Sequence, residues 1–176
     1  MNENQLCKVK KGIEEVLDKM EIQAVTDPEQ DTMFFAAVET AAADGMMMNV
    51  RMYLTIKDQN GMVALEMEME DEIGEDKIVP VMELVSLINR QTIIGHSFVH
   101  LRDKTVFFKK DIILVNDRMN KTELEWSINH LLDNVAFYSL DIQELINSNK
   151  TFDERGKSSW VKSSYLHTEC RSDEQV

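Results

Sequence analysis

A chain of 176 residues with 43% apolar content can bury the core of one domain, and 32 acidic against 19 basic residues leave it a formal charge of −13. That charge argues against nucleic-acid binding, which depends on Lys and Arg displacing counterions from phosphates, and against an anionic membrane surface. It suits solubility, or an acidic face for a basic partner. No apolar run approaches the roughly 20 residues of a membrane span. The start, Met1-Asn2-Glu3-Asn4-Gln5-Leu6-Cys7, lacks the basic and apolar regions of a signal peptide, so the expected location is the cytoplasm. Cys7 and Cys170 form neither a CxxC motif nor a disulfide framework and read as free thiols.

In chain order, Leu6, Val9, Ile13, Val16, Leu17 and Met20 share one face of a helix over residues 4 to 20. A short strand is expected over 21–26, a loop over 27–30, and a strand over 32–42 that carries Phe34 and Phe35 and ends at an Ala43-Asp44-Gly45 turn. Met46, Met48, Val50, Met52, Leu54 and Ile56 then alternate with Met47, Asn49, Arg51, Tyr53 and Thr55. After Asn60-Gly61, Val63, Leu65, Met67 and Met69 alternate with Ala64, Glu66, Glu68 and Glu70. Asn-Gly favours a two-residue type I′ turn. That turn pairs Ile56 with Leu65, Leu54 with Met67 and Met52 with Met69 on a core face, and sets Arg51 opposite Glu70 and Tyr53 opposite Glu68 on a wet one. An acidic loop covers residues 71 to 77. Pro80 suits a first helical position, and Val81, Leu84, Val85 and Ile88 follow at helical spacing as far as Asn89-Arg90-Gln91. Two β-rich runs, 94–101 and 105–115, flank an Arg102-Asp103-Lys104 turn. Thr122 and Glu125 read as the capping box of a last helix whose seam is Leu124, Ile128, Leu131, Val135, Tyr138, Ile142 and Leu145. From Asn149 onward Ser, Lys, Asp and Glu dominate. The domain is therefore placed at 1–148, with 149–176 a polar tail expected to be disordered. The fold class is α+β, an antiparallel sheet with packed helices in the order α-β-β-β-α-β-β-α.

The run Leu87-Ile88-Asn89-Arg90, then Gly95-His96-Ser97-Phe98, then Val106-Phe107-Phe108-Lys109-Lys110-Asp111-Ile112-Ile113-Leu114-Val115, followed by a long amphipathic helix, resembles the YbjN family of bacterial sensory transduction regulators. The chain departs from that pattern by one extra residue between Gly95 and Phe98. The resemblance implies a fold like that of type III secretion chaperones. It implies a non-enzymatic protein-interaction module that regulates a bacterial stress or signalling response. A secretion chaperone binding a client segment is the alternative it implies.

The residues assign no catalytic, cofactor or metal role. No Gly-rich phosphate loop, GxSxG elbow or HExxH helix is present. His96 and His100 share a strand face but stand roughly 13 Å apart at 3.3 Å per residue, and read as half-buried sheet residues. The acidic run of Glu66, Glu68, Glu70, Asp71, Glu72, Glu75 and Asp76 lacks EF-hand spacing and reads as a solvated face and loop. Met48, Met52, Met67 and Met69 fill core; Met46 and Met47 are the candidates for an exposed, adaptable patch. Lys109, Lys110 and Asp111 read as an ordinary amphipathic strand, or as a small basic spot. Trp126, Phe137 and Leu140 form a second apolar stripe on the last helix. Either a second copy of the chain, giving a homodimer, or the N-terminal helix would cover it. A small-molecule- or metal-binding enzyme is the remaining, third reading.

Overall fold

The computed structural model of the protein describes residues 1–42, 44–92 and 94–148. Helix α1 (Glu3–Lys19) opens on a capping box: the Asn2 carboxamide accepts from the Gln5 amide and the Gln5 side chain accepts from the Asn2 amide. Strands β1 (Ala24–Thr26), β2 (Met33–Ala41), β3 (Met47–Lys57) and β4 (Met62–Met69) form an antiparallel meander. Helix α2 (Ile78–Gln91) crosses over to the hairpin β5 (His96–His100) and β6 (Thr105–Ile113), and α3 (Lys121–Asn147) closes the domain. The six strands make one sheet in the order β1-β2-β3-β4-β6-β5, antiparallel throughout. All three helices lie on one face of it, α3 along β4 and β6, α2 on β5, and α1 against α3. Between sheet and helices sits one core: Val9, Ile13 and Leu17 from α1, Leu54, Met67, Met69 and Phe108 from the strands, Val81 and Ile88 from α2, and Leu124, Ile128 and Leu131 from α3.

The α+β class and the order of the eight long elements agree with the sequence reading, and the short strand becomes a sixth, edge strand. The seam of α3 is buried at Leu124, Ile128, Leu131, Val135, Ile142 and Leu145, with Tyr138 half-buried. Three local expectations are corrected. Asn60-Gly61 is not a two-residue turn. A 3₁₀ turn over Asp58–Asn60 ends on Gly61 at φ 59°, so the loop has four residues and Lys57 pairs with Met62. The register moves by two residues, to Ile56 opposite Val63, Leu54 opposite Leu65 and Met52 opposite Met67. Because side chains repeat every two residues, the shift leaves each one on its expected face. Second, Pro80 is the third residue of α2, not the first. It still lies in the first turn, where its missing N–H costs no helical bond. Third, α3 is capped by Asn120, whose side chain accepts from the Glu123 amide, and not by Thr122. The expected disorder of the tail, and the reading of Cys170, fall outside the described residues.

Two elements of the second half are held by close approach. The Asn89 side chain donates to the Ser97 carbonyl at 2.8 Å and accepts from the Ser97 amide at 2.6 Å. It thus behaves as a further strand beside β5 and satisfies part of that edge. Gly95, at φ 77°, sits where an added Cβ would meet the Lys109 carbonyl oxygen at 2.6 Å.

These turns give opposed expectations for neighbouring positions. Gly61→Val places a β-branched residue at positive φ and is expected to cost about 1 kcal/mol or more. Asn60→Ala, at a position with ordinary negative φ, is expected to change stability by less than about 0.5 kcal/mol. Chemical denaturation of both variants measures the difference; equal losses would restore the type I′ turn.

Candidate protein-interaction face

Among the described residues, no helix lies on the second face of the sheet. Each strand contributes outward residues at every second position. β2 gives Phe35, Ala37 and Glu39; β3 gives Met47, Asn49, Arg51, Tyr53 and Thr55; β4 gives Ala64, Glu66 and Glu68; β6 gives Thr105, Phe107, Lys109 and Asp111; β5 gives His96, Phe98 and His100. Aromatic rings run across the sheet in contact. Phe35 and Tyr53 have centroids 5.4 Å apart, Tyr53 and Phe107 6.3 Å, and Phe107 stacks on Phe98 at 5.5 Å with planes 11° apart. His100 meets Phe107 edge-on at 5.7 Å, and His96 lies 6.0 Å from Phe98. Phe35, Tyr53, Phe98 and Phe107 are each half-buried, leaving ring surface to solvent.

A charged network is set into this aromatic row. Glu68 is 5% exposed, and its carboxylate accepts from the Tyr53 hydroxyl at 2.7 Å and the Thr105 hydroxyl at 3.1 Å. Arg51 Nη1 stands 3.7 Å from Glu68 and Arg51 Nε 3.6 Å from Glu70. Strand register sets Tyr53 opposite Glu66 and Arg51 opposite Glu68, so Tyr53–Glu68 and Arg51–Glu70 are diagonal contacts of the kind a twisted antiparallel pair allows. The contacts expected from sequence form, but across the diagonal. Lys109 bridges Glu66 at 2.9 Å. Burial works to lower the Lys109 pKa, yet the Glu66 carboxylate outweighs it and holds the ammonium above its ordinary value.

Tyr53 follows the same logic with the opposite charge. Burial first, then the hydrogen bond to Glu68 and that carboxylate's charge, push its phenol up from 10.0 to about 12. A raised folded-state pKa favours the neutral phenol, so the stabilisation is complete below pH 10 and is lost as pH rises towards 12. Tyr53→Phe removes one donor to a buried carboxylate and is expected to cost about 1–2 kcal/mol at pH 7. It should also delete the latest-titrating tyrosine step from an ultraviolet pH titration. A tyrosine titrating near pH 10 in place of that step would show that the Tyr53–Glu68 contact does not form.

The residues singled out from sequence occupy other places. Met46 and Met47, 59% and 63% exposed, sit at the turn into β3. Trp126 and Phe137, each 46% exposed, lie on α3, and Leu140 is half-buried there. Trp126 stacks on His130 at 4.9 Å and receives the Lys110 ammonium 4.6 Å above its ring, while Phe137 meets Tyr138 edge-on. Lys109 and Lys110 point to opposite faces: Lys110 reaches beneath α3 to donate to Ser127 at 2.7 Å, so the two do not make one basic spot. His96 is exposed and His100 half-buried, 2.7 Å from the Asp103 carboxylate. Among the described residues no three His, Cys, Asp or Glu are grouped to hold a metal, and no helix is long and apolar enough to cross a membrane. The aromatic row escaped the sequence reading. Its only trace there is one aromatic at an outward position on each of four strands: Phe35, Tyr53, Phe98 and Phe107.

Three solved structures share this architecture. The crystal structure of E. coli YbjN, "a putative transcription regulator", superposes with a TM-score of 0.54 at 9% identity, covering 76% of this chain and 89% of that one. The ExsC–ExsE complex gives 0.53 at 15% identity over 82% and 98% of the two chains. The HopA1–SchA chaperone–effector complex gives 0.50 at 11% identity over 76% and 93%. At such identities the likeness is one of fold, that of secretion chaperones. No curated protein sequence matches the chain. The family model of YbjN, "Putative bacterial sensory transduction regulator", matches residues 11–144, which takes in the second half of α1, the whole sheet, α2 and nearly all of α3; the chain belongs to the YbjN family.

Proposed function

We propose that this protein is a non-enzymatic interaction module of the bacterial cytoplasm that holds a polypeptide segment of a partner on its open sheet face, as a regulator of a stress or signalling response. The observation that carries the reading is the contiguous row Phe35–Tyr53–Phe107–Phe98, half-buried and uncovered on a face without helices. Aromatic rings flanked by charge bury much area at little entropic cost, which is the composition of binding surfaces. Family membership supports a regulator. The chaperone–effector neighbour supports the alternative, a chaperone-like protein whose client lies across the same sheet. Capture from lysate of the native cells, with mass spectrometry, tests both. The wild type is expected to retain protein partners that a Phe35→Lys/Phe98→Lys variant of unchanged circular dichroism loses. Several regulatory partners favour the regulator; one exported client favours the chaperone; partners held equally by the variant remove the open face from the reading.

A second surface belongs to the assembly. Trp126 and Phe137 remain exposed on α3 although α1 packs against the same helix, which supports a homodimer contact there. Light scattering after size exclusion is expected to give a dimer for the wild type and a folded monomer for Phe137→Glu. A monomeric wild type rules the contact out.

A further inference from the structure

We infer that the open sheet face is occupied, when no partner is bound, by residues 155–167 of the same chain, so that the protein carries a competitor for its own binding face. The inference rests on the open face being the binding face. Charge complementarity is the first argument. The chain carries −13 overall, yet between Arg155 and Thr168 it has Arg155, Lys157, Lys162 and His167 and no acidic residue, interleaved with Trp160, Val161, Tyr165 and Leu166. The open face offers half-buried rings at Phe35, Tyr53, Phe98 and Phe107, and its carboxylates Glu39, Glu66, Glu68, Glu70 and Asp111 outnumber its cations Arg51, Lys57 and Lys109, of which Arg51 meets Glu68 and Glu70 and Lys109 meets Glu66. Stacking and cation–π contacts suit Trp160, Tyr165 and the basic side chains to that surface.

The place where α3 ends is the second argument. The Lys77 ammonium donates to the Ser148 carbonyl at 2.5 Å, and Gln143 donates to Asp71 at 2.9 Å. Asp71 directly follows Glu70, whose carboxylate meets Arg51 on the open face, and the same loop is tied to the β5–β6 turn by the Ile73 amide on the Lys104 carbonyl at 2.7 Å. Helix α3 therefore delivers the chain to the sheet end that carries Glu68, Glu70 and His100. Six residues separate Ser148 from Arg155 and span up to about 20 Å when extended. The 13 residues of 155–167 span up to about 43 Å, against a six-stranded sheet about 24 Å wide. The segment has no core-forming pattern of its own, so its docking is that of a linear ligand on a preformed surface.

The test uses the full chain with photoreactive benzoylphenylalanine in place of Phe98, irradiated in dilute purified solution and mapped by mass spectrometry. The expected product joins position 98 to a peptide within 155–167 of the same molecule. Its yield should fall about fivefold or more in 1 M salt, which shortens electrostatic reach to a few ångströms. It should fall similarly in a Lys157→Glu/Lys162→Glu variant, whose changes lie outside the described residues. Mixing isotopically light and heavy chains separates the two geometries, and products joining different copies overturn the inference. So does a position 98 that links to no residue of 155–167, or a yield indifferent to salt and to the charge reversals. If such a chain still captures partners through the open face, the binding reading stands and only the competitor is lost. If Phe35→Lys/Phe98→Lys leaves partner capture intact while the cross-link forms, the tail docks but the face is not the binding face, and the competitor role falls with it.

Discussion

The structure depends on the pairing of β4 with β6. Strands β1 to β4 can form by local turns, and β5 with β6 forms a second local hairpin, but neither half closes a core alone. The α2 crossover brings the hairpin back so that Leu65 faces Lys110 and Met67 faces Phe108. That register makes one six-stranded sheet and turns β4 into an interior strand, with Val63, Ala64, Leu65, Met67 and Met69 all at 0% exposure. It also sets Tyr53 within ring contact of Phe107, joining aromatics that lie 54 positions apart in the chain into one row.

The same pairing explains how a carboxylate comes to be buried on the face without helices. Glu68 lies between β3 and β6, and an unpaired charge at its 5% exposure would be costly. Tyr53 from one side and Thr105 from the other satisfy it, with Arg51 nearby. The network fixes the outward rotamers of Tyr53 and Arg51. The open face thereby becomes a rigid one, and a polypeptide laid on it would lose less entropy than on a mobile surface.

The residues that carry the family resemblance act mainly in the fold. Asn89 clamps the β5 backbone, and Gly95 permits the chain to pass against the Lys109 carbonyl where no side chain fits. Phe108 faces the core and Phe107 the open side, so one aromatic pair serves both layers of the sheet. The exposed stripe of α3 and the aromatic row belong to opposite faces of the sheet.

Local periodicity was enough to determine the helices, the long strands and which side chains face inward, because each depends on neighbours within a few positions. It placed Met52, Met67 and Met69 in the core and Leu124, Ile128 and Leu131 on the α3 seam, as found. The acidity of the chain comes from composition alone. Turn chemistry was less decisive: Gly61 takes the left-handed conformation, but Asp58 to Asn60 form a 3₁₀ turn that lengthens the loop by two residues and slides the register. The period of two hid that slide, since every side chain stayed on its face. Only the tertiary structure decided which polar faces would adjoin. Phe35, Tyr53, Phe98 and Phe107 each look like an isolated ring on a wet strand, and strand order, not strand sequence, lines them up. Strand order is set by the long-range β4–β6 pairing across α2, a contact between positions 39 to 51 residues apart that no local spacing encodes.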